Sequence, residues 1–464
     1  MDKTKTKTGL YAALDIGTTS IKVVVAEYVD GQMNVIGVGN AKSEGLKKGF
    51  IINIDKAVES IKRAVSQAEE KAGIQIRNVN VGIPANQLDV EVCQGMIAIH
   101  AQAKEITDED VHNVASAALV RAILPERQII SVVPQNFVVD GFDSIQDPRG
   151  MIGVRLEMTG LLYTGPKTII HNIQSAVEKA GLVIDDFVVL PLALGENILG
   201  EGQSSFGTVV VDLGGGQTTT SVFSNGELHL TFVDPEGGEN VTGDISNYLK
   251  TSQKNAEALK INYGLADSTR ASEYEKFPVD VIGQAEPVEV DEHYLSQIIE
   301  ARYAQIFQNS REFLANHDAL DLQGGIVLTG GASSVPSVKD LASEVYGNNV
   351  PVEQYVPNQM GLRNPVFSNV IAIAEYAAGL DEIYGIAKGA IYGGEYMPSR
   401  MPEVPQQSSG FFGGKTQELP PMQQVEMQKP DYEDDYYYDD EPKAKGKGKG
   451  ILGKARGLIN EMFD

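Results

Sequence analysis

The stretch that most limits what this chain can fold into runs from Val209 to Phe223. Val209-Val210-Val211 is a β-branched run that reads as a buried strand, and Thr219-Thr220-Ser221-Val222-Phe223 reads as a second. Between them lie Asp212, Leu213, the glycines Gly214, Gly215 and Gly216, then Gln217 and Thr218. Glycine has no Cβ and tolerates positive φ, so successive backbone N–H groups can converge on one anion. An Asp at the strand end can orient hydrated Mg²⁺, and threonine hydroxyls can donate to phosphate oxygens. Taken alone, the stretch is either a phosphate-gripping hairpin or an ordinary glycine-rich turn.

A second copy decides between them. Leu10 to Leu14 is an apolar strand, followed by Asp15-Ile16-Gly17-Thr18-Thr19-Ser20-Ile21-Lys22 and then Val23-Val24-Val25-Ala26. The two aspartates lie about one domain length apart. Two related halves, each offering a hairpin with an Asp, predict a cleft in which both grip one Mg·nucleotide. The pair resembles the first and second phosphate loops of the actin/DnaK/sugar-kinase ATPase superfamily, with Lys22 at the place of that family's phosphate-facing lysine. The resemblance implies an α/β, two-lobed, actin-like (ribonuclease H-like) fold that binds ATP and Mg²⁺. Asp15, Gly17, Thr18, Thr19 and Lys22 would serve from the first hairpin. Asp212, Gly214, Gly215, Gly216, Gln217 and Thr218 would serve from the second, with Asp15 and Asp212 on the metal side.

Two further segments fit that resemblance. Gly324 to Thr329 is a strand running into Gly330-Gly331-Ala332-Ser333, similar to the family's adenosine loop, although by itself it is also a plain strand-to-helix turn. Glu257 and Lys260, three apart on one helix face, match a Glu-x-x-Lys that clasps the ribose in chaperone relatives, or form a surface ion pair. One departure matters. Val189-Leu190-Pro191 matches the segment where hydrolytic relatives place a Glu or Gln beside the attacking water, and leucine can neither orient water nor accept a proton. Glu196 lies a helical turn too far along to replace it. The expectation is ATP binding with at most slow hydrolysis, and no catalytic residue is assigned.

The chain reads as alternating units. Residues 8–84, with 165–203 and 376–396, form a first α/β subdomain (strands 10–14, 21–29, 33–38 and 78–83; helices 54–71 and 169–180). Residues 85–164 are an inserted subdomain, with a strand over 88–100, a capping box at Thr107 to Asp110 opening a helix to about Val120, and an extended run over 128–139. Residues 204–243 with 321–375 form the second lobe, and 244–320, mostly helical, its smaller companion. A net charge of −25 argues against nucleic acid as a partner. The single cysteine, Cys93, rules out an intrachain disulfide framework and fits a reducing compartment. No apolar run approaches the roughly 18 residues needed to span a bilayer.

From 397 to 448 proline, glutamine and acidic tyrosine runs predict a disordered linker with a reach of roughly 35–40 Å. At 449–464, Ile451, Leu452, Ala455, Leu458, Ile459, Met462 and Phe463 form one helical stripe, with Lys449, Lys454 and Arg456 beside it. That pattern predicts a helix lying in the headgroup plane of an anionic membrane; docking into a partner's groove is the rival. The core, the insertion and this tail together resemble the FtsA family of bacterial cell-division proteins. That resemblance implies ATP-dependent protofilaments of the chain itself on the inner face of the cell membrane at the division septum. It also implies capture of the tubulin-like GTPase FtsZ by residues 244–320, with Arg302 and Tyr303 facing it, and contacts with other division proteins. Alternatives of the same fold are a pilus-assembly adaptor and a small-molecule kinase.

Overall fold

The computed structural model describes residues 8–99, 104–120 and 123–392. Two five-stranded sheets carry it, and they are built alike. In the first, Gly9–Ile16, Ser20–Val29 and Gln32–Lys42 form an antiparallel meander, and Asn78–Ile83 then Val183–Val189 add in parallel on the other side of Gly9–Ile16. In the second, Thr208–Leu213, Thr218–Ser224 and Glu227–Asp234 form the meander, and Ile326–Thr329 then Val352–Gln354 add in parallel. Order and direction match, so the sequence repeat is a structural duplication. The strands at the centre are covered on both faces: Val23, Val24, Val25 and Ala26 are all 0% exposed. Double burial explains their unbroken apolar runs.

The helix Ile54–Ala72 covers the first sheet through Ala57, Ile61, Ala64 and Ala68. The side chain of Asn53 caps it by accepting from the Lys56 N–H, and Gly73 closes it at φ 69°. Small residues on the helix let it approach closely. A Cβ on Gly39 would stand 1.8 Å from the carbonyl oxygen of Ala64.

The inserted segment folds into a four-stranded antiparallel sheet in the order Phe142–Ile145, Arg127–Val139, Arg155–Pro166 and Asp89–Ala98, with the helix Asp108–Leu119 packed on it. The Thr107–Asp110 capping box is formed. The sequence pattern had given no element for Arg155–Pro166. That strand is buried without interruption from Gly160 to Gly165, so no period-two alternation marks it, and a Cβ on Gly160 would lie 2.7 Å from the Val133 carbonyl oxygen.

Two expected boundaries are corrected. The helix Ser368–Gly379 does not divide at 375 between the lobes; Val370 to Ala374 are wholly buried in the core of the first lobe. Glu382–Gly389, expected with the first lobe, seats Ile383, Ile386 and Ala387 in the core of the inserted subdomain. Periodicity identifies an apolar face without saying which sheet covers it. The expected linker at 397–448 and the helix at 449–464 lie outside the described residues.

Gly39→Ala is expected to lower stability by about 1–3 kcal/mol through overpacking. The check is a fall in the urea midpoint at unchanged slope.

Candidate functional site

The turns of the two hairpins meet in a cleft between the duplicated sheets. Its walls are Asp15 to Ser20 and Lys22 from the first, Asp212, Gly214 to Gln217 and Thr219 from the second, Gly330 and Gly331 beyond the Ile326–Thr329 strand, and Leu190, Pro191 and Asn369. The approach is tight. A Cβ on Gly215 would lie 2.3 Å from Cγ2 of Thr19, and one on Gly216 would lie 2.6 Å from Oγ1 of Thr18. Any side chain at these glycines would push the lobes apart. The Gly49 N–H donates to Oγ1 of Thr18 at 3.0 Å, fixing the first turn.

The second turn is held from behind. The N–H groups of Gly238 and Glu239 donate to the carbonyls of Gly214 and Gly215, at 3.0 and 2.7 Å. In a trans peptide the N–H points opposite to the carbonyl, so the N–H groups of Gly215 and Gly216 turn away from this helix start. They are backbone donors available to an anion.

Charge is concentrated at the hairpin bases. Nζ of Lys22 pairs with Oδ2 of Asp15 at 3.2 Å, both side chains being more than nine-tenths buried. Asp212 accepts from Nδ2 of Asn369 at 3.1 Å through Oδ2, while its buried Oδ1 has no hydrogen-bond partner among the described residues. Burial pushes the Asp212 carboxyl up to about 6; the Asn369 hydrogen bond opposes this, Asp15 adds to it and Lys22 lowers it. Gly330, at φ 87°, is where any Cβ would collide with Oδ1 of Asp212, at 2.2 Å. An unpaired buried carboxylate oxygen, on a group that a second carboxylate is near enough to push up, fits a divalent cation. No group of three or more His, Cys, Asp or Glu forms a metal cage among the described residues. A cation here would therefore rest on Asp15, Asp212, water and oxygens of a ligand.

Four other expected residues, Thr218, Ser333, Glu257 and Lys260, are not among the residues that line the cleft and bond instead to the segments behind it. Thr218 donates its hydroxyl to the Glu236 carbonyl at 2.9 Å, and Ser333 donates to that of Gly330 at 2.8 Å. Nζ of Lys260 is buried and donates to Oε2 of Glu257 at 2.8 Å, to the Gly238 carbonyl at 2.9 Å and to Oγ1 of Thr242 at 2.7 Å. Oε1 of Gln217 accepts from Nδ2 of Asn86 at 2.9 Å. Leu190 lines the cleft and Glu196 is exposed outside it.

One expectation is overturned. Arg302 and Tyr303 do not face outward: they are 6% and 0% exposed on the helix Glu292–Asn316. Both are long amphipathic residues, and a helix turns about 100° per residue, so the sequence did not fix which way they point. Asn369 and Asn86 were missed. The signal for Asn369 was a lone amide beside the apolar run of Ser368–Gly379.

Two like-folded lobes with opposed glycine hairpins, and a small domain inserted in the first, define an actin-like ATPase fold. A solved PilM–PilN type IV pilus biogenesis complex shares it, with a TM-score of 0.54 at 15% identity over 80% of this chain and 99% of that one. A family model for "Cell division protein FtsA" matches residues 209–372, and one for "SHS2 domain inserted in FTSA" matches 85–164. The FtsA of Enterococcus hirae is 58% identical over 99% of this chain and 100% of its own, and that of Streptococcus pneumoniae is 48% identical over 98% and 99%. The FtsA of Bacillus subtilis is 44% identical over 81% of this chain and 85% of its own. The chain belongs to the FtsA family of cell division proteins.

Asp212 sets a pH test. Its folded pKa of about 6 stands above the ordinary 3.8, so its contribution favours folding fully below 3.8 and is lost as pH rises through about 6. Asp212→Asn keeps a neutral side chain, and is expected to raise the melting temperature of the ligand-free protein above pH 6 while matching it near pH 4. Thermal unfolding followed from pH 4 to 8 checks this.

Proposed function

We propose that the cleft binds Mg·ATP and that the bound nucleotide closes the two lobes into a shape competent for polymerisation. The orphaned Oδ1 of Asp212, opposite the Asp15–Lys22 pair, carries this reading. Asp15 and Asp212 hold the metal, which neutralises phosphate charge when bound. The N–H groups of Gly215 and Gly216 and the hydroxyls of Thr18 and Thr19 donate to phosphate oxygens. Lys22 supplies the fixed cation, and Gly330 and Gly331 admit the adenosine by lacking side chains. Leucine at 190 leaves the attacking water without a base, so turnover is slow and the nucleotide acts as a switch.

Family membership supports the rest. The protein forms protofilaments on the inner face of the cell membrane at the division site and tethers the division GTPase FtsZ there. The stripe from Ile451 to Phe463 binds anionic lipid, and one such helix attaches weakly and reversibly. Lined up along a filament, many act together through effective concentration. Among the described residues no helix is long and apolar enough to cross a membrane. The pilus-adaptor and small-molecule-kinase readings find no support in the family match.

Two experiments test this. Lys22→Ala is expected to weaken ATP binding at least tenfold, measured by titration calorimetry with Mg²⁺ present; unaltered affinity would sink the assignment of Lys22. Full-length protein should pellet with anionic vesicles when ATP·Mg²⁺ is added, and a 1–448 truncation should stay in the supernatant. Pelleting of the truncation would remove the tail from the mechanism.

A further inference from the structure

The helix Glu292–Asn316 runs behind the second lobe's part of the cleft and sends side chains to both sides of it. Arg302 forms a fork. Nε and Nη2 bond the two oxygens of Asp244 at 2.5 and 3.0 Å, and Nη1 bonds Oε2 of Glu236 at 2.9 Å. Asp244 sits on the helix Gly238–Leu249, and Glu236 stands just before its first residues. That start is what holds the carbonyls of Gly214 and Gly215, and the Glu236 carbonyl also accepts the Thr218 hydroxyl. Gly237 leaves no slack, since a Cβ there would lie 2.5 Å from the Gly214 oxygen. The next residue, Tyr303, is wholly buried and donates its hydroxyl to the Ala332 carbonyl at 2.7 Å, inside the Gly330–Ser333 turn.

We propose that Arg302 and Tyr303 are positioning residues for the nucleotide, Arg302 aligning the phosphate hairpin through Glu236 and Asp244, and Tyr303 aligning the adenosine-side turn through Ala332. This rests on the Mg·ATP reading of the cleft. A buried guanidinium bridging two carboxylates defines an angle as well as a distance, which a lysine point charge does not. The two contacts act on different parts of one ligand, so they should be separable.

The test measures Kd for ATP·Mg²⁺ by calorimetry and for adenosine by competition, together with the melting temperature of each ligand-free protein. Arg302→Lys is expected to weaken ATP about tenfold and leave adenosine within about twofold, the scale of one charge-assisted hydrogen bond. Tyr303→Phe, which keeps the ring, is expected to weaken ATP and adenosine by the same factor of about three to ten. A purely structural defect would weaken both ligands equally in Arg302→Lys, and that result overturns the proposal. So would unchanged affinities in both variants. If Arg302→Lys does not fold, Glu236→Ala removes the same link from its partly exposed end, with the same expected split. Failure of the unmodified protein to bind ATP would instead bring down the reading of the cleft itself.

Discussion

The two hairpin turns can face each other only because the second has no side chains where they meet. Thr18 and Thr19 project into the space that Cβ atoms at Gly216 and Gly215 would fill. That contact brings Asp15, Lys22 and Asp212 into mutual electrostatic range, which is why Asp212 feels both of the others. A buried carboxylate oxygen without a partner is costly, and a cation bound there under the proposed reading would offset that cost. The sheets, the small-residue helix contacts and the helix behind the second turn all serve to hold this approach.

The inserted subdomain is fixed by a helix that follows it by more than two hundred residues. Ile383, Ile386 and Ala387 fill the core of that subdomain, and apolar burial of this kind is the main attraction. Arg149 pairs within the insertion with Asp108 and Asp147, at 3.1 and 2.8 Å, and ties it to Glu382 of that helix at 3.0 Å; each pair is modest because the residues are partly exposed. Lys388 of the same helix reaches back to Asp186 of the first sheet at 2.6 Å. The segment entering the tail thus touches both the insertion and the first lobe.

Much of this was legible from residues alone. The Asp-Leu-Gly-Gly-Gly and Asp-Ile-Gly runs carry their geometry locally, since glycine content and strand pattern are properties of a few consecutive residues. The helix caps at Asn53 and Gly73 and the Thr107–Asp110 box are equally local. The strand Arg155–Pro166 was not legible because Gly160 to Gly165 are all buried, which erases the alternation that marks a strand in sequence.

By itself, then, the sequence determined the duplicated strand–turn–strand units, the two aspartates and the lack of a base at Leu190, because each is written in short-range order and side-chain chemistry. Only the tertiary structure decided that Arg302 and Tyr303 point inward, that Asn369 meets Asp212, and that the two final helices divide between the first lobe and the insertion. Those outcomes turn on which distant surface covers a given helix face, and an apolar or amphipathic face carries no mark of its partner.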